Sequence, residues 1–477
     1  MLSEWYNNGL AEAYILFRQT QPESLEAEEV KDEFEKLIKD REKFEQFLDE
    51  NKDVPLNNIK IQTERDGKTF DNVKWLFSLS SSTRRIIAKK GIWEGIGFRV
   101  VNKTKNCSIC GSSGTKLNTA LLFPFDRKVL NYYCGLNEGA NRLRLCSLCQ
   151  RICFYSFGNI FYSKSNDRVT IFFPNSDNYE KIAKLSTRLK QIRIQSIEKV
   201  WPFCNIRPEG IAAYYPSEFL LSILFALYRW SNEKEDKEIL NVLEEVNIEL
   251  VSYAAGRGLA IYDSYETLTK LDDIFRIFTQ FEEKIILLNK SQELKEKEPL
   301  SPTVVFNWFF NSLTIEGKDY EAKNRLREDW TKTLLKKHKI DFITLNEVVM
   351  DNIKTKGYAY RFVSFYNLMI KSILEGLNMV NEMKVFEHVN AIGYGLGKEA
   401  ENLMGKSAQS ALWDIFRTRT ASDFVDALVK VQIKLRTSLD LREVEANKSR
   451  WREIRAIILN GMANALFAGG KKDVKSD

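Results

Sequence analysis

The sequence predicts an α+β protein with two parts. A mixed, mostly helical N-terminal domain over residues 1–345 carries an insert closed by paired cysteines, and a C-terminal helical bundle follows over 346–477. Three observations lead there. Helical apolar spacing dominates the chain but gives way to strand-like pieces between about 58 and 104 and again at 168–173. The last proline is Pro302, so nothing after it forbids long helices joined by short turns. Six of the seven cysteines fall between 107 and 153.

Residues 3–19 and 24–50 read as helices, the second with Leu37, Phe44, Phe47 and Leu48 on one face. "KTFDNVKWLF" and "GIGFRV" are strand-like, and "RVTIFF" (168–173) reads as a strand ended by Pro174. Helical spacing returns at 178–195, 215–230 and 234–250, and the charged stretch 288–302, ending Pro-Leu-Ser-Pro, reads as exposed or linker-like. Beyond about 345 the pattern is helical. Thr420 and Asp423 make a capping-box-like start, after which Phe424, Leu428, Val431 and Leu435 share a face. Trp451, Ile454, Ile458 and Met462 do the same in the next helix, and the tail after 468 is expected to fray. There is no internal repeat.

At 477 residues, with 44% hydrophobic and 29% charged, the composition is that of an ordinary globular chain. The most apolar segment, "FLLSILFALY" (219–228), is too short to span a bilayer and reads as a buried helix. The N-terminus has no basic region and carries Glu4, so no secretory signal is expected and the protein is expected in the cytoplasm. The net charge is +6 overall, but residues 1–60 hold 15 acidic against 8 basic side chains, which leaves the other 417 residues at +13. A basic body suits a polyanionic partner, although such a charge is also common in proteins that bind none.

"CSIC" (107–110) and "CSLC" (146–149) are the sharpest motif. In a reducing compartment, two CxxC pairs favour a metal over disulfides, and four thiolates suit tetrahedral Zn²⁺. Cys107, Cys110, Cys146 and Cys149 are therefore the expected ligands of a structural Zn²⁺ within the segment 105–155. Gly111 follows directly, where the turn wants positive φ. The spacer of 35 residues exceeds the usual roughly 15–20 and reads as an inserted hairpin. Cys134 or Cys153 could replace one ligand, or both could be buried apolar thiols. A thioredoxin-like redox pair is the competing reading, but it needs one CxxC rather than two.

Catalytic signals are absent. The chain has two histidines, His338 and His388, and no metalloprotease, nucleophile-elbow or kinase motif. "GYGLGK" (393–398) and "MGKS" (404–407) fail the phosphate-loop pattern and read as turns or close helix contacts at Gly393, Gly395, Gly397 and Gly405. The acidic stretch 263–273 is not distinguishable from a solvated face. No enzymatic activity is expected. Basic groups are more suggestive: Arg84, Arg85, Lys89 and Lys90 lie in one short stretch beside Trp93, Lys430 and Lys434 are one turn apart, and Lys448, Arg452 and Arg455 form a cationic stripe. Such groups can neutralise phosphates without reading bases; solvated helix faces are the plain alternative.

With these residues in view, the chain resembles the large subunit of the type I-B CRISPR surveillance complex (Cascade), in the subgroup with two CxxC motifs. The likeness rests on "CSIC", "CSLC", their spacing, and a chain of this length ending in basic helices. It implies a non-catalytic subunit near the guide RNA 5′ handle. Its N-terminal domain would inspect the motif flanking the target in double-stranded DNA, and its C-terminal bundle would contact the displaced strand beside the small subunits. The resemblance further implies backbone and guide-handle subunits as partners, recruitment of a separate helicase-nuclease, and no membrane. Small subunits of such complexes can arise from an internal start, for which Met350, Met369, Met379 and Met383 are candidates. No motif assigns the flanking-motif reader. Arg84, Arg85, Lys89 and Lys90 are the expected DNA contacts of the N-terminal domain; those of the C-terminal bundle are Lys430, Lys434, Lys448, Arg452 and Arg455. The rival reading is a stand-alone zinc-containing nucleic-acid-binding protein.

Overall fold

A computed structural model describes residues 2–54, 106–112, 145–159, 161–165, 168–197, 216–233, 238–255, 260–268, 270–291, a few positions between 299 and 313, and 320–356 and 360–468. The described chain is mostly helical with a few short strands, as the sequence predicts. It divides into two compact units, the first made of residues 1–206 and 229–272, the second of 207–228 and 273–477.

In the first unit, α1 (Leu2–Thr20) buries Trp5, Ala11, Ala13 and Tyr14. The expected single helix over 24–50 is instead two, α2 (Ala27–Lys39) and α3 (Arg41–Glu50). Asp40 makes the break: its backbone is extended, its N–H closes α2 on the carbonyls of Lys36 and Leu37, and its carboxylate accepts the Lys43 N–H at 3.3 Å to open α3. Aspartate favours this capping role over a helix interior. The break folds α3 back so that Phe34 and Phe44 meet edge to face with centroids 5.9 Å apart. Next comes α4 (Ser147–Tyr155), which α1 approaches so closely that a Cβ on Gly9 would lie 1.8 Å from the Ile152 carbonyl oxygen. Tyr155 donates its hydroxyl to the Leu48 carbonyl at 2.5 Å, tying α4 to α3.

Strands β1 (Phe161–Ser165), β2 (Arg168–Asn175), β3 (Asn247–Ala255) and β4 (Ala260–Leu268) form one antiparallel sheet in that order, with Phe172 opposite Leu250. Pro174 does not end β2 but pairs with Ile248 inside it. A proline lacks a donor but keeps its carbonyl, and this one accepts from Asn8 Nδ2 at 2.5 Å. Helix α5 (Tyr179–Ile197) follows β2. The expected helix over 234–250 is corrected: α7 spans only Glu238–Glu245, α6 (Pro216–Glu233) preceding it, and β3 begins at Asn247. Pairing on both edges overrides the helical spacing. Buried Glu249 is matched across the sheet by Asn175 Nδ2 at 2.8 Å.

The second unit holds residues of α6 up to 228, most of α8 (Leu271–Ser291), and α9 (Tyr320–Lys337), α10 (Phe342–Lys356), α11 (Tyr360–Gly376), α12 (Val380–Met404), α13 (Gln409–Phe416), α14 (Ala421–Lys434), α15 (Arg442–Ala446) and α16 (Trp451–Ala468). Aromatic packing joins its N-terminal helices, with Phe225 stacked on Phe306 at 4.2 Å and Phe278 edge-on to both. Thr420 caps α14 by accepting the Asp423 N–H at 3.1 Å, and Phe424, Leu428, Val431 and Leu435 are buried as the spacing predicts. Helices α12 and α16 cross with almost no space between their backbones, through Gly393, Gly397 and Gly461. "GYGLGK" therefore lies in a helix interior, and Gly405, at φ +49, ends that helix.

One buried polar cluster makes a pH prediction. Glu218 and Arg327 form a buried ion pair with contacts of 2.7 and 2.9 Å. Beside them the Glu328 carboxylate accepts the Ser217 N–H at 3.0 Å and the Glu218 N–H at 3.2 Å, capping α6. Burial first, and the Glu218 charge second, raise Glu328 from 4.5 to about 7, against the pull of its N–H donors. An acid raised on folding stabilises fully below its unfolded value, and that contribution is lost as pH rises through the folded one. Relative to Glu328→Gln, wild type is expected to lose stability between pH 4.5 and about 7, by up to roughly 3 kcal/mol. Paired urea melts across that range check it; a constant difference between the two proteins would refute it.

Candidate metal centre

The two CxxC pairs meet. The sulfurs of Cys107, Cys110, Cys146 and Cys149 all lie within 4.8 Å of one another, and these four are the group of potential metal ligands found among the described residues. Cys107 and Cys110 are held by a tight turn in which Gly111 N–H reaches the Cys107 carbonyl and Cys107 N–H the Ser112 carbonyl, both at 3.0 Å. Gly111 sits at φ +69, the left-handed conformation expected of it. Cys146 is the N-cap of α4 and Cys149 lies in its first turn, the Cys149 N–H reaching the Cys146 sulfur at 3.4 Å. The Cys146 N–H reaches across to the Cys107 sulfur at 3.3 Å.

All four are free thiols. Cys110 and Cys146 sulfurs are 3.6 Å apart, far beyond the roughly 2.05 Å of a disulfide and close to the roughly 3.8 Å edge of a tetrahedron with metal–sulfur bonds of about 2.3 Å. Four sulfurs this close cannot all be anionic without a cation. The conflict is visible in their acidities. Hydrogen bonds from the Cys146 and Cys149 thiols pull Cys107 down to about 2, while the same sharing with Cys107 and Cys146 pushes Cys149 far up. A divalent ion resolves this by accepting all four thiolates, so the residues fit a metal such as zinc. Three ligands are buried and only Cys110 is exposed.

The site is part of the core. Cys107, Cys146 and Cys149 join one apolar cluster with Trp5, Phe44, Leu48, Ile152 and Tyr155. Cys153 is fully buried in the same cluster, outside the four-sulfur group, and burial raises its thiol. Cys134 and Cys204 lie outside the described residues.

The basic candidates have different fates. Arg84, Arg85, Lys89 and Lys90 lie outside the described residues. Lys430, Lys434, Lys448 and Arg452 are exposed in the C-terminal helices, Lys434 within 3.9 Å of Asp414. Arg455 departs from the expected stripe. Its guanidinium turns inward, donates to the carbonyls of Phe416 (3.2 Å) and Thr418, and lies over the Trp451 ring at 5.1 Å. That fastens the loop carrying exposed Arg417 and Arg419, which helical spacing does not reveal because they fall between helices. Arg452 covers Trp451 at 5.5 Å. Among the described residues no helix is long and apolar enough to cross a membrane. Compared with known proteins, the chain matches no protein-family model and no curated relative.

Proposed function

We propose that this chain is the non-catalytic large subunit of an RNA-guided type I CRISPR complex, with a structural Zn²⁺ on Cys107, Cys110, Cys146 and Cys149. The observation that carries the reading is the closure of both CxxC pairs, the motif on which the resemblance rests, into one four-sulfur site. Soft thiolates select zinc over magnesium or calcium, and four of them leave no open position for a substrate. Such a site braces the N-terminal unit and performs no chemical step. The exposed cations of the C-terminal helices support a phosphate-contacting role, which positions nucleic acid without reading its sequence.

On this reading the partners are the guide RNA handle, target DNA with its displaced strand, the backbone and small subunits, and a recruited helicase-nuclease. Replacing Lys430, Lys434, Lys448 and Arg452 together with Ala, in the assembled complex, is expected to weaken target binding equally for all flanking sequences. Each phosphate deprived of its cation lowers the slope of log K against log salt by about 0.7–0.9. Arg455 is left alone because its substitution would release the loop it holds. Unchanged affinity and slope would remove these residues from the interface, and weakening confined to one flanking sequence would make them readers.

A further inference from the structure

We propose that the loop between α13 and α14 is a preformed clamp for the phosphates of a single nucleic-acid strand, with Arg417 and Arg419 as its contacts and Arg455 as its positioning residue. The clamp deepens the phosphate-contacting reading above and rests on it. The loop reads Arg-Thr-Arg-Thr over 417–420, and its alternate residues have opposite fates. Both threonines serve the backbone. Thr418 donates its hydroxyl to the Ile415 carbonyl at 2.8 Å, finishing α13, and Thr420 accepts the Asp423 N–H at 3.1 Å, opening α14. The two arginines are exposed, and neither side chain makes an ion pair or hydrogen bond among the described residues. Asp414, one turn before Arg417, lies 3.9 Å from Lys434 instead.

Arg455 of α16 supplies the rigidity. It donates to the carbonyls of Phe416 and Thr418, on either side of Arg417 in the chain, and the Thr418 hydroxyl oxygen is 3.4 Å away. Its guanidinium lies over Trp451, a ring that Arg452 also covers and that packs on Phe424 of α14 with centroids 6.3 Å apart. One half-buried cation therefore fixes the backbone from which two exposed cations project. A guanidinium presents a planar fork that fits a phosphate with two parallel N–H bonds. A loop held in place beforehand loses less freedom on binding. Trp451 is already engaged by two guanidiniums and is no platform for stacking a base, so phosphates are the groups left to recognise.

The test measures affinity and its salt dependence for the full chain with a fluorescent thymidine DNA strand and its uridine RNA counterpart. Arg417→Ala with Arg419→Ala is expected to weaken binding roughly tenfold and to lower the slope of log K against log salt by about 1.4, two contacts at about 0.7 each. The strand with the larger loss is the one the clamp holds, and equal losses mark a clamp that takes either. Arg455→Ala is expected to weaken binding with the slope unchanged, because both contacts remain but are no longer held in place. Added to the double variant, it is expected to change nothing further, a result that poor folding cannot produce. Arg442→Ala removes an equal charge already paired with Asp440 at 2.9 Å and is expected to leave affinity and slope as they were. Wild-type affinity and slope in the double variant would overturn the clamp. If Lys430, Lys434, Lys448 and Arg452 changed together to Ala still weaken binding, the wider reading stands; if they do not, it falls as well. A slope lowered by Arg455→Ala would make that residue a contact and overturn its positioning role, and a wild-type chain that binds neither strand at low salt would overturn both readings.

Discussion

Replacing Cys107 and Cys110 together with Ser is expected to strip the metal and unfold the core of the first unit at ordinary temperature. The size follows from two magnitudes. Coordination of a structural zinc contributes on the order of 10 kcal/mol or more of folding free energy, and a whole domain is stable by only about 5–15. The damage spreads because the site is continuous with the apolar cluster that holds Phe44, Leu48, Ile152 and Tyr155. Cys153→Ala is the comparison. That thiol is buried in the same cluster but outside the four-sulfur group, so the variant is expected to keep its metal and lose a small fraction of the stability. Metal analysis and near-ultraviolet circular dichroism melts read both effects. A double variant that melts as wild type and keeps its metal would contradict a structural site.

The second large effect lies in the C-terminal helices. A Cβ at Gly393 would stand 2.1 Å from the Ile458 carbonyl oxygen and 2.9 Å from its carbonyl carbon. Those are backbone atoms of α16, which cannot swing aside as a side-chain tip can. Gly393→Ala is therefore expected to force α12 and α16 apart and destabilise the bundle by about 3 kcal/mol or more, at the upper end of overpacking penalties. Gly395, two residues along the same helix, meets only Leu439 Cδ2 at 3.8 Å. Gly395→Ala removes a helix-interior glycine without a clash and is expected to stabilise by roughly 0.5–1 kcal/mol. Opposite signs from the same substitution in chemical melts are the check, and equal effects at both positions would contradict the close crossing.

The cysteine centre was legible because its spacing states its geometry: CxxC offers two sulfurs from one turn, and Gly111 marks that turn. Capped amphipathic helices were equally plain, as Thr420 and the Phe424–Leu435 face show. What local pattern could not supply was tertiary choice. Asp40 looked like one more charge on a helix face until Phe34 and Phe44 required the chain to fold back. The run before Ala255 has helical spacing and becomes strand β3 only because β2 and β4 are there to pair with it. Arg455 belongs to a cationic stripe by number, yet two loop carbonyls lie within its reach and take it inward.

The central claim is that this chain works inside an RNA-guided complex rather than alone, and its most direct test is a tagged pull-down of the full chain from its native cell. The bound RNA is sequenced, bound proteins are identified by mass, and zinc is counted. The account predicts RNAs of one length sharing a repeat-derived 5′ end, several co-purifying subunits, and one zinc per chain. A chain recovered alone with its zinc, free of such RNA, would contradict it and leave a stand-alone zinc-containing nucleic-acid-binding protein as the reading to pursue.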